Sequence, residues 1–375
     1  MNNTKQLTVR YHEQPVGTLA LLDQHLVTFQ YDRDWLTHGF ALNPFSLPLE
    51  SRVFIPNLDP FDGVFGIFAD SLPDGWGRLL LDCRLKEQGI APSTVDELTR
   101  LAIVGDRGLG ALTYEPSLQQ DVEVAPFSLD ELAQDALGIL TWDAVENLDT
   151  LFELGGSSGG ARPKIMTEID GQDWIIKFFS HQDAPDIGVQ EYQYAQCARI
   201  CGIEMSETRL FDSQRTSGYF GTKRFDRLPH EDGTAERIHT ASVSALLETT
   251  HRYPLLDYVA LLQLTLELTR DFEQVEQQFR RMCFNVFAEN RDDHAKNFAF
   301  QHRDGEWRLS PAYDLTHSSS VGGEHATSVA GNGKAPSMHD LLEVARSIGL
   351  KQKRARAIAT EVEAIVNEML ASWIG

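Results

Sequence analysis

"NVFAENRDDHAKNFAF", residues 285–300, gathers Asn290, Asp292, Asp293, His294, Lys296 and Asn297 into one short stretch. Apolar residues close both sides: Val286 and Phe287 before it, Phe298 and Phe300 after it. A solvated loop has no use for such flanks. A buried one carrying so many polar groups is costly unless those groups bind something. The stretch therefore reads as a rigidly held site. Its spacing is informative, because Asp292 and Asn297 keep the five-residue offset between the base and a Mg²⁺ ligand in a kinase catalytic loop.

Phosphoryl transfer from ATP needs few other parts, and the chain offers each in a sensible order. A glycine-rich turn lets backbone amides approach phosphates, and Gly155-Gly156-Ser157-Ser158-Gly159-Gly160 is such a turn. Lys177 lies in the strand-like "DWIIKFF" among apolar neighbours, where a solvated lysine is unexpected. Asp314 in "SPAYDL" follows the next hairpin and completes the set as a second metal ligand. Mg²⁺ takes oxygen ligands and keeps several waters, so one Asn and one Asp suffice beside the phosphates. Each part alone has an ordinary reading: a Gly/Ser linker, a lysine snorkelling from its sheet, aspartates closing turns. Their shared order, with a sheet-rich stretch before a helical one, favours the chemical reading.

Composition limits the alternatives. At 375 residues the chain is long enough for two or three lobes. A formal net charge of −22 repels nucleic acid at long range and argues against unaided DNA binding. No apolar run approaches the roughly 20 residues that span a bilayer, and "MNNTKQLTVRYHEQPVG" lacks the apolar stretch of a signal peptide; a cytoplasmic location is expected. The four cysteines are expected to be free thiols: Cys197 and Cys201 share one face of a helix, while Cys83 and Cys283 lie far away.

Up to about residue 115 the chain reads as short strands and helices, including a capped helix in "SLPDGWGRLLLDCRLKEQG" (71–89). Gly105, Gly108 and Gly110 read as a structural turn, since a strand and not a helix follows them. Residues 116–150 are acidic and carry two helical stretches. "GGARPKIMTEIDGQDWIIKFF" gives a hairpin turning at Asp170-Gly171. A helix over 186–201 follows, then two strands. From "ASVSALLETT" (241–250) onward the pattern is helical, interrupted by the polar loop and by the hairpin "NFAFQHRDGEWRLS".

"SSGGARPK" (157–164), "KRFDR" (223–227), "DDHAKNF" (292–298) and "LSPAYDL" (309–315) closely resemble the HipA family of serine/threonine kinases, toxins of bacterial toxin–antitoxin pairs. "SLPDGWGR" (71–78) and "GDRGLGALTY" (105–114) resemble the family's N-terminal subdomain, so the resemblance covers nearly the whole chain. It implies an α+β fold of bilobal, protein-kinase-like form with a β-rich N-terminal subdomain and a helical C-terminal lobe. The implied divisions are 1–118 for the N-terminal subdomain, 119–250 for the kinase N-lobe and 251–375 for the helical C-lobe.

The resemblance also implies roles. Asp292 would be the catalytic base, and Asn297 and Asp314 the Mg²⁺ ligands. ATP would be held by Ser158, Gly159, Gly160, Ala161, Arg162, Pro163, Lys164 and Lys177. Lys223, Arg224 and Phe225 would form the hinge against adenine, and His294, Lys296, Tyr313 and the two metal ligands would lie on the phosphate side. Ser157 matches the family's self-phosphorylated serine, and Ser158 is a second hydroxyl beside it. The implied partners are a HipB-like helix-turn-helix antitoxin, through which alone DNA is reached, and a protein substrate, with aminoacyl-tRNA synthetases as precedent. Many members carry Gly where this chain has Asp293, so Asp293→Gly is expected to be tolerated and its charge to raise the pKa of the base. "VAGNGKAP" (329–336) holds a single lysine where DNA-touching members are more basic. Lys351, Lys353, Arg354 and Arg356 read as a solvated helix start. A small-molecule kinase, or a catalytically weak co-repressor, are the other readings, and a metal hydrolase using His294 with His317 or His325 is more distant.

Overall fold

The computed structural model describes residues 4–374, apart from 23–24, 120–123, 125, 142, 144, 231–233, 251–255 and 321. The chain forms two compact units. The first comprises Met1–Gly188, Phe211–Ala241 and Ala245–Glu248, and the second Val189–Leu210, Ser242–Ser244 and Thr249–Gly375.

The first unit opens with strands β1 (Gln6–Tyr11), β2 (Gln14–Leu22), β3 (Leu26–Tyr31), β4 (Val53–Phe54) and β5 (Leu112–Glu115), in the spatial order β4-β3-β2-β1-β5. Alternation explains why this sheet buries one face: Leu7 and Val9 of β1 and Val27, Phe29 and Tyr31 of β3 all point inward. Helices α1 (Arg33–His38), α2 (Gly66–Ala69), α3 (Gly75–Glu87), α4 (Glu97–Val104), α5 (Leu129–Leu140) and α6 (Leu148–Gly155) follow the chain. Ser128 and Glu131 form a capping box at the start of α5.

Strands β6 (Lys164–Ile169) and β7 (Gln172–Lys177) are the expected hairpin. Both turn residues, Asp170 and Gly171, take positive φ of 54° and 70°, as a two-residue primed turn requires. The chain then passes through α7 (Ile187–Ile200) and β8 (Thr208–Phe211), which fall mainly in the second unit, and returns as β9 (Tyr219–Lys223), antiparallel to β7. One core joins this sheet to the helices: Trp76 and Leu80 of α3, Leu132 and Ala136 of α5, and Leu151 and Phe152 of α6 pack with Ile165, Ile176 and Phe178.

Strands β10 (Arg227–Pro229), β11 (Ala235–Arg237) and β12 (His239–Ser242) lead to a single helical turn, α8 (Val243–Leu246). The helix expected over 241–250 is thus a strand end and one turn. Tertiary partners stop it: the Asn43 side-chain amide donates to the carbonyls of Ala245 (3.0 Å) and Leu246 (3.3 Å), and Glu248 turns into the left-handed region at φ 48°.

The second unit contains β13 (Leu256–Asp257), α9 (Tyr258–Thr269), α10 (Phe272–Phe287), the hairpin β14 (Ala299–Arg303) and β15 (Glu306–Leu309), β16 (Thr327–Ser328), α11 (Met338–Ser347) and α12 (Gln352–Met369). Asp257 and Asp271 cap α9 and α10, each carboxylate accepting a backbone N–H at 2.8 Å. The buried stripe of α10 (Val275, Phe279, Met282) packs against α12, which contributes Ala355, Ile358, Val362 and Val366. Lys351, Lys353, Arg354 and Arg356 are exposed at the start of α12, as expected, and Arg354 pairs with Glu276. Cys197, Cys201 and Cys283 are buried free thiols, and Cys83 is a half-buried one. Among the described residues no helix is long and apolar enough to cross a membrane.

Candidate active site

The expected site residues fall into two sets, one in each unit. In the first unit α6 ends at Gly155 and the chain turns through the serine–glycine loop into β6. Both serines are buried, and their hydroxyls bond to main chain: Ser157 donates to the Arg107 carbonyl at 2.9 Å and Ser158 to that of Gly155 at 2.6 Å. Lys164 bends back to donate to the Gly159 carbonyl at 2.6 Å. Arg162 pairs with Asp183 at 3.0 Å, and the Pro163 carbonyl accepts from Phe178 N at 2.8 Å. Ala161 lies between these anchors.

The start of α3 clamps this loop. Asp74 accepts from Gly160 N, Trp76 N donates to the Gly160 carbonyl (2.9 Å), and the Trp76 indole donates to that of Lys164 (2.9 Å). Gly75 and Gly77 permit the approach. A Cβ on Gly77 would lie 2.3 Å from the Ser158 carbonyl oxygen, and one on Gly75 2.4 Å from that of Gly160. This clamp was not foreseen, although the Gly-Trp-Gly at a helix start is a visible signal for it.

Lys177 ends β7, directly opposite Lys164 in β6 and Phe220 in β9, with its ammonium 5.6 Å from the Phe220 ring centroid. Lys223 pairs with Trp174 and lies over its ring, and Arg224 N donates to the Asp173 carbonyl at 2.9 Å. The Arg224 guanidinium is turned inward, onto Asp226 at 2.7 Å. Asp226 also accepts from Arg227 and from Gly110 N, each at 2.7 Å. Burial alone would raise its pKa. The charges of Arg224 and Arg227 and these hydrogen bonds more than offset that, and hold it well below the usual carboxylate range. The glycine turn at 105–110 thus docks onto residues 224–227.

In the second unit α10 delivers the polar loop. The Asp292 carboxylate is 62% exposed, with His294 Nε2 3.8 Å away. His294 heads the short 3-10 turn Ala295–Asn297, its Nδ1 accepting from Lys296 N at 3.2 Å. The Asn297 side-chain N–H donates to the Asp292 carbonyl at 2.8 Å, which ties the candidate base to a candidate metal ligand and leaves the amide oxygen as the ligand atom. The Tyr313 hydroxyl donates to the Lys296 carbonyl at 2.6 Å and draws in the segment of Asp314, which sits at φ 54°. Arg281, buried in α10, steadies the same segment by donating to the Ser310 carbonyl at 2.6 Å, and burial lowers its pKa to about 10. The loop therefore brings Asp292, His294, Lys296, Asn297, Tyr313 and Asp314 into one neighbourhood.

Asp293 departs from expectation. Its carboxylate is enclosed and accepts from the Tyr258 hydroxyl, His325 Nδ1 and Thr327 N. Glycine there would strand three donors, so Asp293→Gly is not a mild change. The same bond engages His325, and His317 lies 3.5 Å from Glu289. Among the described residues no three His, Cys, Asp or Glu side chains group as metal ligands. The hard oxygens of Asn297 and Asp314 fit Mg²⁺, which binds through one or two protein ligands plus phosphate and water.

Comparison with known proteins agrees with this architecture. The family model of the HipA N-terminal domain matches residues 7–115, and that of the HipA-like C-terminal domain matches residues 156–369. No curated protein shows a significant match. Among solved structures, HipA in a toxin–antitoxin complex of Shewanella oneidensis MR-1 with HipB and operator DNA superposes with a TM-score of 0.74 at 16% identity, over 98% of this chain and 90% of that one. A Helicobacter pylori proinflammatory kinase, CtkA, gives a TM-score of 0.37 at 13% identity over 57% of this chain and 89% of that one, too slight a likeness to argue from. The fold is the α+β, bilobal kinase-like one expected. With both family models matched and the second alone covering more than half of its length, the chain belongs to the HipA family.

Proposed function

We propose that the chain is an ATP- and Mg²⁺-dependent protein serine/threonine kinase acting as a HipA-like toxin. The observation that carries this is the polar loop: an exposed Asp292 whose own carbonyl is held by Asn297, with Asp314 drawn in through Tyr313. Asp292 would accept the proton of the acceptor serine or threonine hydroxyl. Asn297 and Asp314 would hold Mg²⁺, which when bound offsets the charge of the transferring phosphate. The loop Ser158–Lys164, with Lys164 and Lys177 opposed on β6 and β7, would cradle the phosphates. The main chain of Lys223–Phe225 would meet the adenine.

Ser157 is the proposed site of self-phosphorylation, with Ser158 beside it. Its hydroxyl is buried on the Arg107 carbonyl, so a phosphate there, of roughly −1.5 to −2 charge, is incompatible with the loop as packed. Modification would push the loop out, remove its amides from the nucleotide and switch the enzyme off. The partner is proposed to be a HipB-like antitoxin, on the precedent of the Shewanella complex, with DNA reached through it. The net charge of −22 favours that indirect route, and the cytoplasm is the proposed site of action. The substrate is proposed to be a cellular protein, with aminoacyl-tRNA synthetases the first candidates. Incubation with labelled ATP and Mg²⁺, alone and in a cell lysate, followed by mass spectrometry, tests the reading. Phosphoserine or phosphothreonine in this chain and in a lysate protein is expected; label on small molecules alone would contradict it.

A further inference from the structure

Asp292 and Asp293 are neighbours with opposite surroundings. The Asp292 side chain is 62% exposed and that of Asp293 0%. Asp293 Oδ2 accepts from the Tyr258 hydroxyl at 2.7 Å and from His325 Nδ1 at 3.0 Å, and Oδ1 accepts from Thr327 N at 3.1 Å. Its carbonyl accepts from the Thr327 hydroxyl. A carboxylate only accepts, so His325 carries its proton on Nδ1. Burial and the Asp293 charge hold the Tyr258 phenol far above its ordinary pKa, as a permanent donor.

These donors come from separate parts of the second unit. Tyr258 heads α9, while His325 and Thr327 belong to the stretch that follows Asp314. The chain of bonds continues into α10: Asn285 donates to the Tyr258 hydroxyl at 2.9 Å, and Asn290 to the Asn285 side-chain oxygen at 3.0 Å. Main-chain bonds tie the same loop on both sides, from Ala326 N to the Arg291 carbonyl (3.0 Å) and from Ser318 N to that of Glu289 (3.1 Å). Residues 289–293 are thereby held by two later passes of the chain, and Asp293 is the side chain on which α9, the loop and residues 325–327 converge.

We infer that Asp293 is a positioning residue for phosphoryl transfer: through the peptide it shares with Asp292, it fixes the direction in which the Asp292 carboxylate projects and couples it to the segment after Asp314. This rests on the reading of Asp292 as the base. The chemistry of the hub explains why a carboxylate is needed. Tyr258 and His325 both donate to one oxygen, and an amide N–H₂ in that place would face two donors.

The test measures the first-order rate of self-phosphorylation at saturating Mg·ATP, and the ATP concentration giving half that rate. It uses the full chain with Asp293→Asn, Tyr258→Phe, Asp292→Asn and the Asp292→Asn/Asp293→Asn double variant. A base displaced by a fraction of an ångström is expected to slow Asp293→Asn by about 10–100-fold, with the half-saturating ATP changed by less than about 3-fold. Tyr258→Phe keeps the ring and removes one donor, and is expected to slow the rate by about 3–10-fold. If Asp293 acts through Asp292, the double variant is no slower than Asp292→Asn alone. A wild-type rate in Asp293→Asn, or a further tenfold loss in the double variant, would overturn the inference and leave the kinase reading standing. Should Asp293→Asn fail to fold, Tyr258→Phe decides: a wild-type rate there overturns it. A wild-type rate in Asp292→Asn would remove both the kinase reading and this inference.

Discussion

Asp226→Asn is expected to loosen the segment proposed as the adenine hinge. In the folded chain Asp226 is 4% exposed and accepts from Arg224 Nε (3.0 Å) and Nη2 (2.7 Å), Arg227 Nη1 (2.7 Å) and Gly110 N (2.7 Å). Asparagine keeps the shape and removes the charge, leaving two inward-facing guanidinium groups without their shared counter-ion. Breaking a buried pair in this way costs about 3–5 kcal/mol. In a unit of this size that lowers the unfolding midpoint by about 6–15 °C. The effect depends on pH in a defined sense. The folded carboxyl titrates below the unfolded one, which sits at about 3.9, so its contribution is complete above that pH and is lost as the pH falls below it. Wild type and variant should therefore differ fully at neutral pH and converge in strong acid. Differential scanning calorimetry at pH 7 and at successively lower pH measures both, with ATP affinity followed alongside, since Arg224 N, just past β9, is bonded to the Asp173 carbonyl in β7. A midpoint within about 1 °C of wild type at pH 7 would refute the assignment of Asp226 as a buried counter-ion.

Gly77→Ala should push the start of α3 off the Ser158 carbonyl, destabilise the first unit by about 1–3 kcal/mol and weaken ATP binding, as read by calorimetric titration. Asp314→Ala should raise the Mg²⁺ needed for half-maximal transfer steeply, and Asn297→Ala less so because it removes no charge; Mg²⁺ titration of the rate distinguishes them. Protein phosphorylated at Ser157 should bind ATP more weakly than a phosphatase-treated sample at the same Mg²⁺, and equal affinities would exclude the loop switch.

What could be read in the sequence was what neighbouring residues decide. The hairpin at Asp170-Gly171 follows from turn chemistry alone, α9, α10 and α11 follow from capped apolar stripes, and α12 from its apolar stripe alone. The polar loop was recognisable because its spacing is local. What escaped depends on partners distant in the chain. Gly75 and Gly77 are glycines because the 158–160 loop presses on them, and the Gly-Trp-Gly at the helix start signals a close approach without naming the segment that makes it. Asp293 looked exchangeable for glycine on the family resemblance, and the donors that make it otherwise, Tyr258, His325 and Thr327, are scattered over the sequence. The helix expected at 241–250 was cut short by Asn43, a residue from the first sheet's connections.

The central claim is that Asp292 is the base of a phosphoryl transfer. Its most direct measurement is the rate of phosphate transfer from labelled ATP in wild type and Asp292→Asn, with the unfolding midpoint recorded for both. Wild type is expected to label on serine, and Asp292→Asn to fall by about 10²–10⁴-fold with an unchanged midpoint, since the lost charge is largely exposed. Equal labelling of the two proteins would contradict the account.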